Sequence, residues 1–266
     1  MKANSITNIA IGLLAGVSLF SSCRPTPRQD SAKYEIAQIS GSRICIDSTW
    51  ESVPHAIADS IIAPYKDTID REMGKVIGSS EMTMESGRPE SLLSNLIAEV
   101  LRLSATQVLG HPADIGVMNM GGIRNILPKG DITLSNVYEI LPFENSLCVL
   151  TMKGSEVKNL LTVMASLHGE GLSGARIKMT EQGEMLQCSV QEAPIDNQKD
   201  YTIATIDYLA DGNDGFTPFL RAEKRECPPN ATLRSLFLNY IEQQTAEGKK
   251  VTSRIDGRIT IVPGSN

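Results

Sequence analysis

Apolar positions recur along this chain at two spacings, roughly every third or fourth residue and every second, and the switches between them outline its elements. Tyr34–Asp47 alternates loosely through Ile36, Ile39, Ile44 and Ile46, as an early strand or extended arm would. From Pro54 to Gly74, Ile57, Ile61, Ile62, Tyr65, Ile69 and Met73 follow helical steps, with Pro64 placed to kink or restart the helix. The clearest helix is Pro89–Leu109. There Leu93, Leu96, Ile97, Val100 and Leu101 form one stripe, Pro89 suits the first turn and Gly110 the stop. Leu147–Met152 reads as a buried strand, Gly154–His168 as an amphipathic helix, and Arg176–Met179 and Ser189–Gln191 as weaker strands across a polar turn at Glu181–Glu184. Tyr201–Leu209 alternates as a strand that ends in the loop Asp211–Phe216. A last helix over Ala231–Ala246, capped by Asn230, precedes a closing strand at Gly257–Val262. Long helices interleaved with both kinds of strand point to an α/β domain with a mixed sheet.

The chain is organised around Asp114–Asn145. The apolar run Ile115–Met120 reads as a buried strand and stops at Gly121-Gly122, where missing side chains let backbone approach a ligand or turn sharply. Arg124 plants a guanidinium just beyond that strand end. A loop with Pro128 and Gly130 leads to a second strand near Asp131–Thr133, and Pro142-Phe143 sets a large aromatic on stiff backbone just past Val137–Leu141. A strand-end guanidinium, a glycine pair and a rigid aromatic together suit an anionic ligand with a flat ring.

Three motifs in this stretch, Asn119-x-Gly121-Gly122-Ile123-Arg124, Gly130-Asp131-Ile132-Thr133 and Leu141-Pro142-Phe143-x-Asn145, resemble the C-terminal domain of the 5′-nucleotidase/UDP-sugar hydrolase family. The similarity runs from about Pro89 to Val262 and implies an α/β (α+β) fold, a single 5′-nucleotidase C-terminal-like domain with a mixed β-sheet and flanking helices. Glu90, Ser91, Asn95 and Leu96 match a further family segment, with Ser94 where glycine is usual. Arg88 is the one candidate for the family's upstream ligand-binding arginine, offset by one residue.

The resemblance also assigns roles. Arg124 is expected at the phosphate or ribose of a nucleotide, and Asn119 at its base or ribose. Met120 stands where the family has the first of three glycines. Phe143 and Tyr208 match the two aromatics that sandwich the base, and Tyr208 replaces a frequent phenylalanine, keeping the ring and adding a hydroxyl. Asp214, in Gly-Asn-Asp-Gly-Phe, matches the aspartate that accepts ribose hydroxyls, while Asn145 would support the Phe143 loop. Alone, each aromatic would read as core; two separate motifs placing them argue for a clamp, with stacking worth about 1–3 kcal/mol per base.

Two apparent signatures carry no chemistry. Gly169-Glu170-Gly171-Leu172-Ser173-Gly174 satisfies G-x-G-x-x-G, but it follows a helix and precedes a strand, the reverse of a dinucleotide-binding turn. Ser173 lacks the final glycine of a G-x-S-x-G elbow.

Composition narrows the field. With 266 residues, 41% of them hydrophobic, the chain can bury a sizeable core. A net charge of −6 argues against nucleic-acid binding. Lys2, the apolar Ile9–Phe20 and Leu19-Phe20-Ser21-Ser22-Cys23 read as a bacterial lipoprotein signal over residues 1–22, with lipidation at Cys23. An ordinary secretory signal is the other reading. A polar tether (23–33), an arm with a lead-in helix (34–84) and the nucleotidase-like domain (85–262) follow, on an exported, membrane-anchored protein facing the periplasm or the cell surface. Cys45, Cys148, Cys188 and Cys227 leave disulfide connectivity open, and Cys148 reads most simply as a small buried hydrophobe.

In the full-length family, hydrolysis belongs to an N-terminal metallophosphoesterase domain whose two metals activate water. Its Asp, His and Asn signatures are absent here, and His55, His111 and His168 show no ligand spacing. The expectation is therefore a nucleoside- or nucleotide-binding domain that is not active alone, has no metal or catalytic residue of its own, and serves a separate phosphoesterase subunit carrying two divalent metals. A free-standing nucleotide-binding lipoprotein, or a structural one without ligand, fits the same residues.

Overall fold

Chain direction within one mixed sheet decides where the candidate residues meet. The computed structural model describes residues 38–45 and 56–263. The chain divides into two units, Met1–His55 and Ala56–Asn266. In the first, residues 38–45 are exposed and form no regular element, so the expected strand is not seen over that part; the signal, Cys23 and the tether lie outside the described residues.

The second unit begins with α1 (Ala56–Met73), which runs unbroken through Pro64 instead of restarting there and buries none of its residues. Its apolar stripe faces outward, with Ile57, Ile61 and Tyr65 all well exposed. β1 (Val76–Ser80) pairs antiparallel with β3 (Gly130–Thr133). Between them, α2 (Leu92–Ser104) buries the whole expected stripe. It starts later than Pro89 because Ser91 is the N-cap, and it breaks at Ala105 before a short α3 (Thr106–Leu109) that stops at left-handed Gly110.

β2 (Ile115–Met118) is fully buried under α2. Gly116 makes this contact possible: a Cβ there would sit 2.1 Å from the Ala98 carbonyl oxygen. Next come α4 (Leu134–Ile140), closed at its start by a reciprocal Thr133–Asn136 capping box, β4 (Leu147–Lys153) and α5 (Gly154–Ser166). β5 (Gly171–Ser173), β6 (Ala175–Met179), β7 (Met185–Val190), the two-residue β8 (Ala193–Pro194) and β9 (Asp200–Ile206) follow.

The expected strand through Leu209 ends at Ile206. The Asp207 carboxylate takes the Tyr208 N–H at 2.8 Å and starts a helical turn, α6 (Asp207–Ala210). After β10 (Lys224–Glu226), α7 (Leu233–Ala246) is capped by Thr232 rather than Asn230, the threonine hydroxyl accepting from the Ser235 N–H at 3.2 Å. β11 (Ile259–Ile261) closes the chain.

The central sheet has the order β10-β4-β9-β2-β5. Its β2–β9 pair is parallel and the others antiparallel, giving the expected mixed sheet. The remaining strands form a four-stranded sheet, β11-β6-β7-β8, and the two-stranded β1–β3 pair. The core gathers around α2, the central sheet and α5, with α7 covering β1, α2 and α4.

Cys148 and Cys227 form a disulfide that staples β4 to the chain just beyond edge strand β10. The cysteine in β4 is therefore a crosslink, which its apolar surroundings in the sequence disguise as plain core.

Candidate functional site

Four strand ends converge at one edge of the central sheet. β2 and β9 are parallel neighbours, so the segments after Met118 and Ile206 leave on the same side. β4 runs against β9 with Leu147 opposite Ile206, which brings the loop before β4 to that side as well. β5 runs against β2 with Met118 opposite Gly171, and so adds Glu170. Asn119, Tyr208, Phe143 and Asn145 are neighbours for this reason, although up to 89 positions separate them.

Together they line a cleft of about 290 Å³, floored by Gly121 and Gly122 and walled by Asp214. Both rings stand partly free, Phe143 at 48% and Tyr208 at 40% exposure, and so are not core aromatics. Phe143 owes its place to Arg234 of α7, which sequence reading missed. The buried guanidinium of Arg234 donates to the carbonyls of Leu141 (2.9 Å) and Pro142 (2.8 Å), pairs with Glu144 at 2.6 Å and lies 4.3 Å from the Tyr138 ring centre. It fixes the loop together with the Asn145 carbonyl, which accepts from the Leu233 N–H of α7 at 2.8 Å, and Asn145 also lines the cleft. No local pattern marks an arginine on an amphipathic helix for such work.

Asp214 is the polar centre. Its Oδ1 accepts from the Tyr208 hydroxyl at 2.8 Å and its Oδ2 from the Asn119 amide at 2.6 Å. The hydrogen bond from Tyr208, with the carboxylate's charge behind it, raises the phenol above its ordinary value. Asp214 takes a left-handed conformation (φ 54°), which the Asn-Asp-Gly turn tolerates. Asn119 is buried, and its Oδ1 has no hydrogen-bond partner. Gly122 must stay bare beside it, since a Cβ there would lie 2.9 Å from that oxygen and 2.3 Å from the Met118 methyl.

Behind this wall, buried Glu170 accepts from the Met120 N–H and pairs with Arg88, whose Nε donates to the Gly169 carbonyl at 2.8 Å. Burial pushes the Glu170 carboxyl above its ordinary value and the nearby Asp214 charge adds to this, while the Met120 N–H and Arg88 pull the other way. Sequence reading missed Glu170 because it lies in the dismissed glycine-rich run. That run forms the end of α5's connection and β5 itself, and Ser173 donates to Glu99 rather than acting as a nucleophile. Arg88 thus reaches the site indirectly.

Arg124 is exposed at the rim and not among the cleft-lining side chains. Its Nη1 reaches the Gly121 carbonyl at 3.4 Å, and among the described residues it has no acidic partner. Among the described residues no group of three or more His, Cys, Asp and Glu side chains could hold a metal ion. A groove of about 340 Å³ shares no residue with the cleft. There Arg102 pairs with Glu99, Arg176 with Glu192, and both Arg254 and Arg258 with Asp256, so each arginine has a carboxylate partner although four guanidinium groups meet three carboxylates.

The sequence and the fold have known relatives. The chain is 30% identical over 165 residues to the silent protein UshA(0) of Salmonella typhimurium, covering 59% of this chain and 29% of that protein. It is 28% identical over 188 residues to protein UshA of Yersinia enterocolitica, covering 69% and 34% respectively. It therefore matches only about a third of the length of these relatives. Among solved structures, the 5′-nucleotidase precursor of Thermus thermophilus superposes with a TM-score of 0.67 at 29% identity, covering 77% of this chain and 43% of that one. NAD nucleotidase of Haemophilus influenzae shares the fold, with a TM-score of 0.58 at 22% identity. The model of the 5′-nucleotidase C-terminal domain matches residues 72–221, more than half of the sequence, and this chain belongs to that family.

Proposed function

We propose that this chain recognises a nucleoside or nucleotide by stacking its base between Phe143 and Tyr208, and that it acts in nucleotide hydrolysis by presenting the ligand to a metallophosphoesterase on a separate subunit. The observation that carries the reading is that two half-exposed rings from distant parts of the sequence line one cleft beside a carboxylate. A flat heterocycle between two rings gains about 1–3 kcal/mol per stacked base, and Asp214 offers acceptors for ribose hydroxyls. Arg124, free of acidic partners among the described residues, can swing toward a phosphate from the rim and bind it two-pronged.

In this reading two divalent metals on the partner activate water and clamp the phosphate. The chain's own residues bind and orient, a contribution of position rather than bond breaking. A lipid anchor at Cys23 would hold the protein on a membrane after export. The Cys148–Cys227 bridge fits an oxidising compartment.

Calorimetry with adenosine and AMP tests the site, and purification from membranes tests the partner. Binding together with a co-purifying metallophosphoesterase is expected. Binding without such a partner would favour a non-catalytic nucleotide-binding lipoprotein, and no binding to either compound would overturn the assignment. Robust phosphatase turnover by the isolated chain with Mn²⁺ or Zn²⁺ would overturn the division of labour.

A further inference from the structure

Strand register builds the arginine-lined groove that lies apart from the cleft. β11 runs parallel to β6 with Ile259 opposite Ile177, so Arg258 falls opposite Arg176. Like charges facing each other across a sheet destabilise it, and an anion between them removes the repulsion. Asp256 supplies one such anion. Its Oδ1 accepts from Arg258 Nε at 3.0 Å, its Oδ2 from Arg254 Nε at 3.3 Å and its carbonyl from Arg176 Nη1 at 2.5 Å. Three guanidinium groups thus converge on one residue, and each keeps donors unused. Among the described residues, Arg254 makes no hydrogen bond through Nη1 or Nη2, and Arg176 and Arg258 make none through Nη2.

Carbonyl groups do much of the holding here, and a carbonyl fixes a guanidinium without cancelling its charge. Arg258 Nη1 donates to the carbonyls of Asn95 (3.1 Å) and Leu172 (2.8 Å). Arg102 differs, since its Nε and Nη2 both engage Glu99. The opposing carboxylates are turned away or screened. Glu192, the partner of Arg176, is 71% exposed and largely screened by water. Glu90 does not line the groove, and its Oε1 is taken by the Asp256 N–H and the Asn95 amide.

We propose that this groove binds a phosphate-type oxyanion, as free phosphate or a small phosphate monoester, between Arg176, Arg254 and Arg258. Three guanidinium groups approaching one point suit a tetrahedral group with three outward oxygens, whereas a carboxylate offers two in one plane. Arg176 and Arg258 are held ready by their carbonyl bonds, and the exposed Arg254 closes from the rim. No aromatic ring lines the groove, so nothing there stacks a base and the ligand is compact and polar. The site is independent of the nucleoside reading, with which it shares no residue.

The test is calorimetry on the full chain in a phosphate-free buffer of low ionic strength, with inorganic phosphate, glycerol 3-phosphate and acetate as probes. Saturable binding of a phosphate probe with a Kd below about 1 mM is expected, with acetate at least about tenfold weaker. The tighter of the two phosphate probes tells free phosphate from monoester as the preferred form. Arg254→Ala should weaken that binding by about fivefold or more, and Glu192→Gln, which removes an opposing charge, should strengthen it by about twofold. Both side chains are well exposed, so the variants fold, and adenosine affinity should stay at the wild-type value in each. Arg124→Gln removes the arginine at the cleft rim and should leave phosphate affinity unchanged. The proposal is overturned if neither phosphate probe binds below about 1 mM, if acetate binds as tightly, or if Arg124→Gln abolishes binding that Arg254→Ala leaves intact.

Discussion

The Nη2 of Arg234 donates to the carbonyl of Pro142 at 2.8 Å, so a residue on α7 holds the turn that carries Phe143. Its other nitrogens engage Leu141 and Glu144. Arg234→Ala strands the carbonyl of buried Leu141, while that of exposed Pro142 can turn to water. It should cost about 1–3 kcal/mol of stability, on the scale of one unsatisfied buried acceptor. Glu144 is mostly exposed, so its charge pair adds little. The urea midpoint should fall, and adenosine affinity should fall with it as the loop loosens. Wild-type values for both would show that the loop stands without its tether.

Phe143→Ala and Tyr208→Ala should each weaken nucleoside binding by roughly tenfold or more, as loss of one stacking face implies. Because both rings are about half exposed, unfolding midpoints should move little. Calorimetry beside a urea titration separates the two effects. Unchanged affinity in both variants would remove the clamp.

Replacing Cys148 and Cys227 together by alanine, or reducing the protein, should lower stability by about 2–5 kcal/mol, since the bridge closes a loop with a sequence separation of 79. Urea titrations with and without dithiothreitol read this directly. Coincident curves would mean that the bridge does not form.

Glu170 sets a pH dependence whose sign follows from its raised carboxyl. The folded state holds this proton to higher pH than the unfolded chain, whose value lies near 4.5. Stability contributed by the protonated form is therefore fully present below that value and declines as pH rises through the folded one. Glu99 and Asp256 act oppositely. Burial raises each, but the arginines beside them, with Ser173 at Glu99, outweigh it and leave both carboxyls lowered. Subtracting a Glu170→Gln profile from the wild-type one isolates the Glu170 component. A difference that does not change between about pH 4 and 7 would contradict the assigned shift.

Much of this was legible in the amino-acid order. Period-3.6 apolar stripes located α2 and α5, and the apolar runs at Ile115 and Leu147 located β2 and β4. Asn119, Phe143, Asn145, Tyr208 and Asp214, which line one cleft, are marked in the sequence because each sits in a local motif with its own turn chemistry. Less visible were features whose cause is remote in sequence. Arg234 matters only because α7 packs beside the Phe143 loop, and Glu170 only because β5 pairs with β2. Arg124, expected at a nucleotide's phosphate or ribose, stands at the rim of the cleft, a direction that sequence spacing does not give. The outward stripe of α1 is the converse case. Its periodicity predicted a helix correctly, yet a period alone does not say what covers the apolar side.

The convergence of four strand ends on one edge divides labour between inheritance and novelty. The hydrogen-bonded ladder of β4, β9, β2 and β5 is indifferent to which side chains follow its last rungs. Substitutions after Met118, before Leu147 or after Ile206 can retune what is recognised while the scaffold carries on unaltered. A few changes at the tips can therefore alter the shape and polarity of the cleft, with no need to rebuild the fold beneath them.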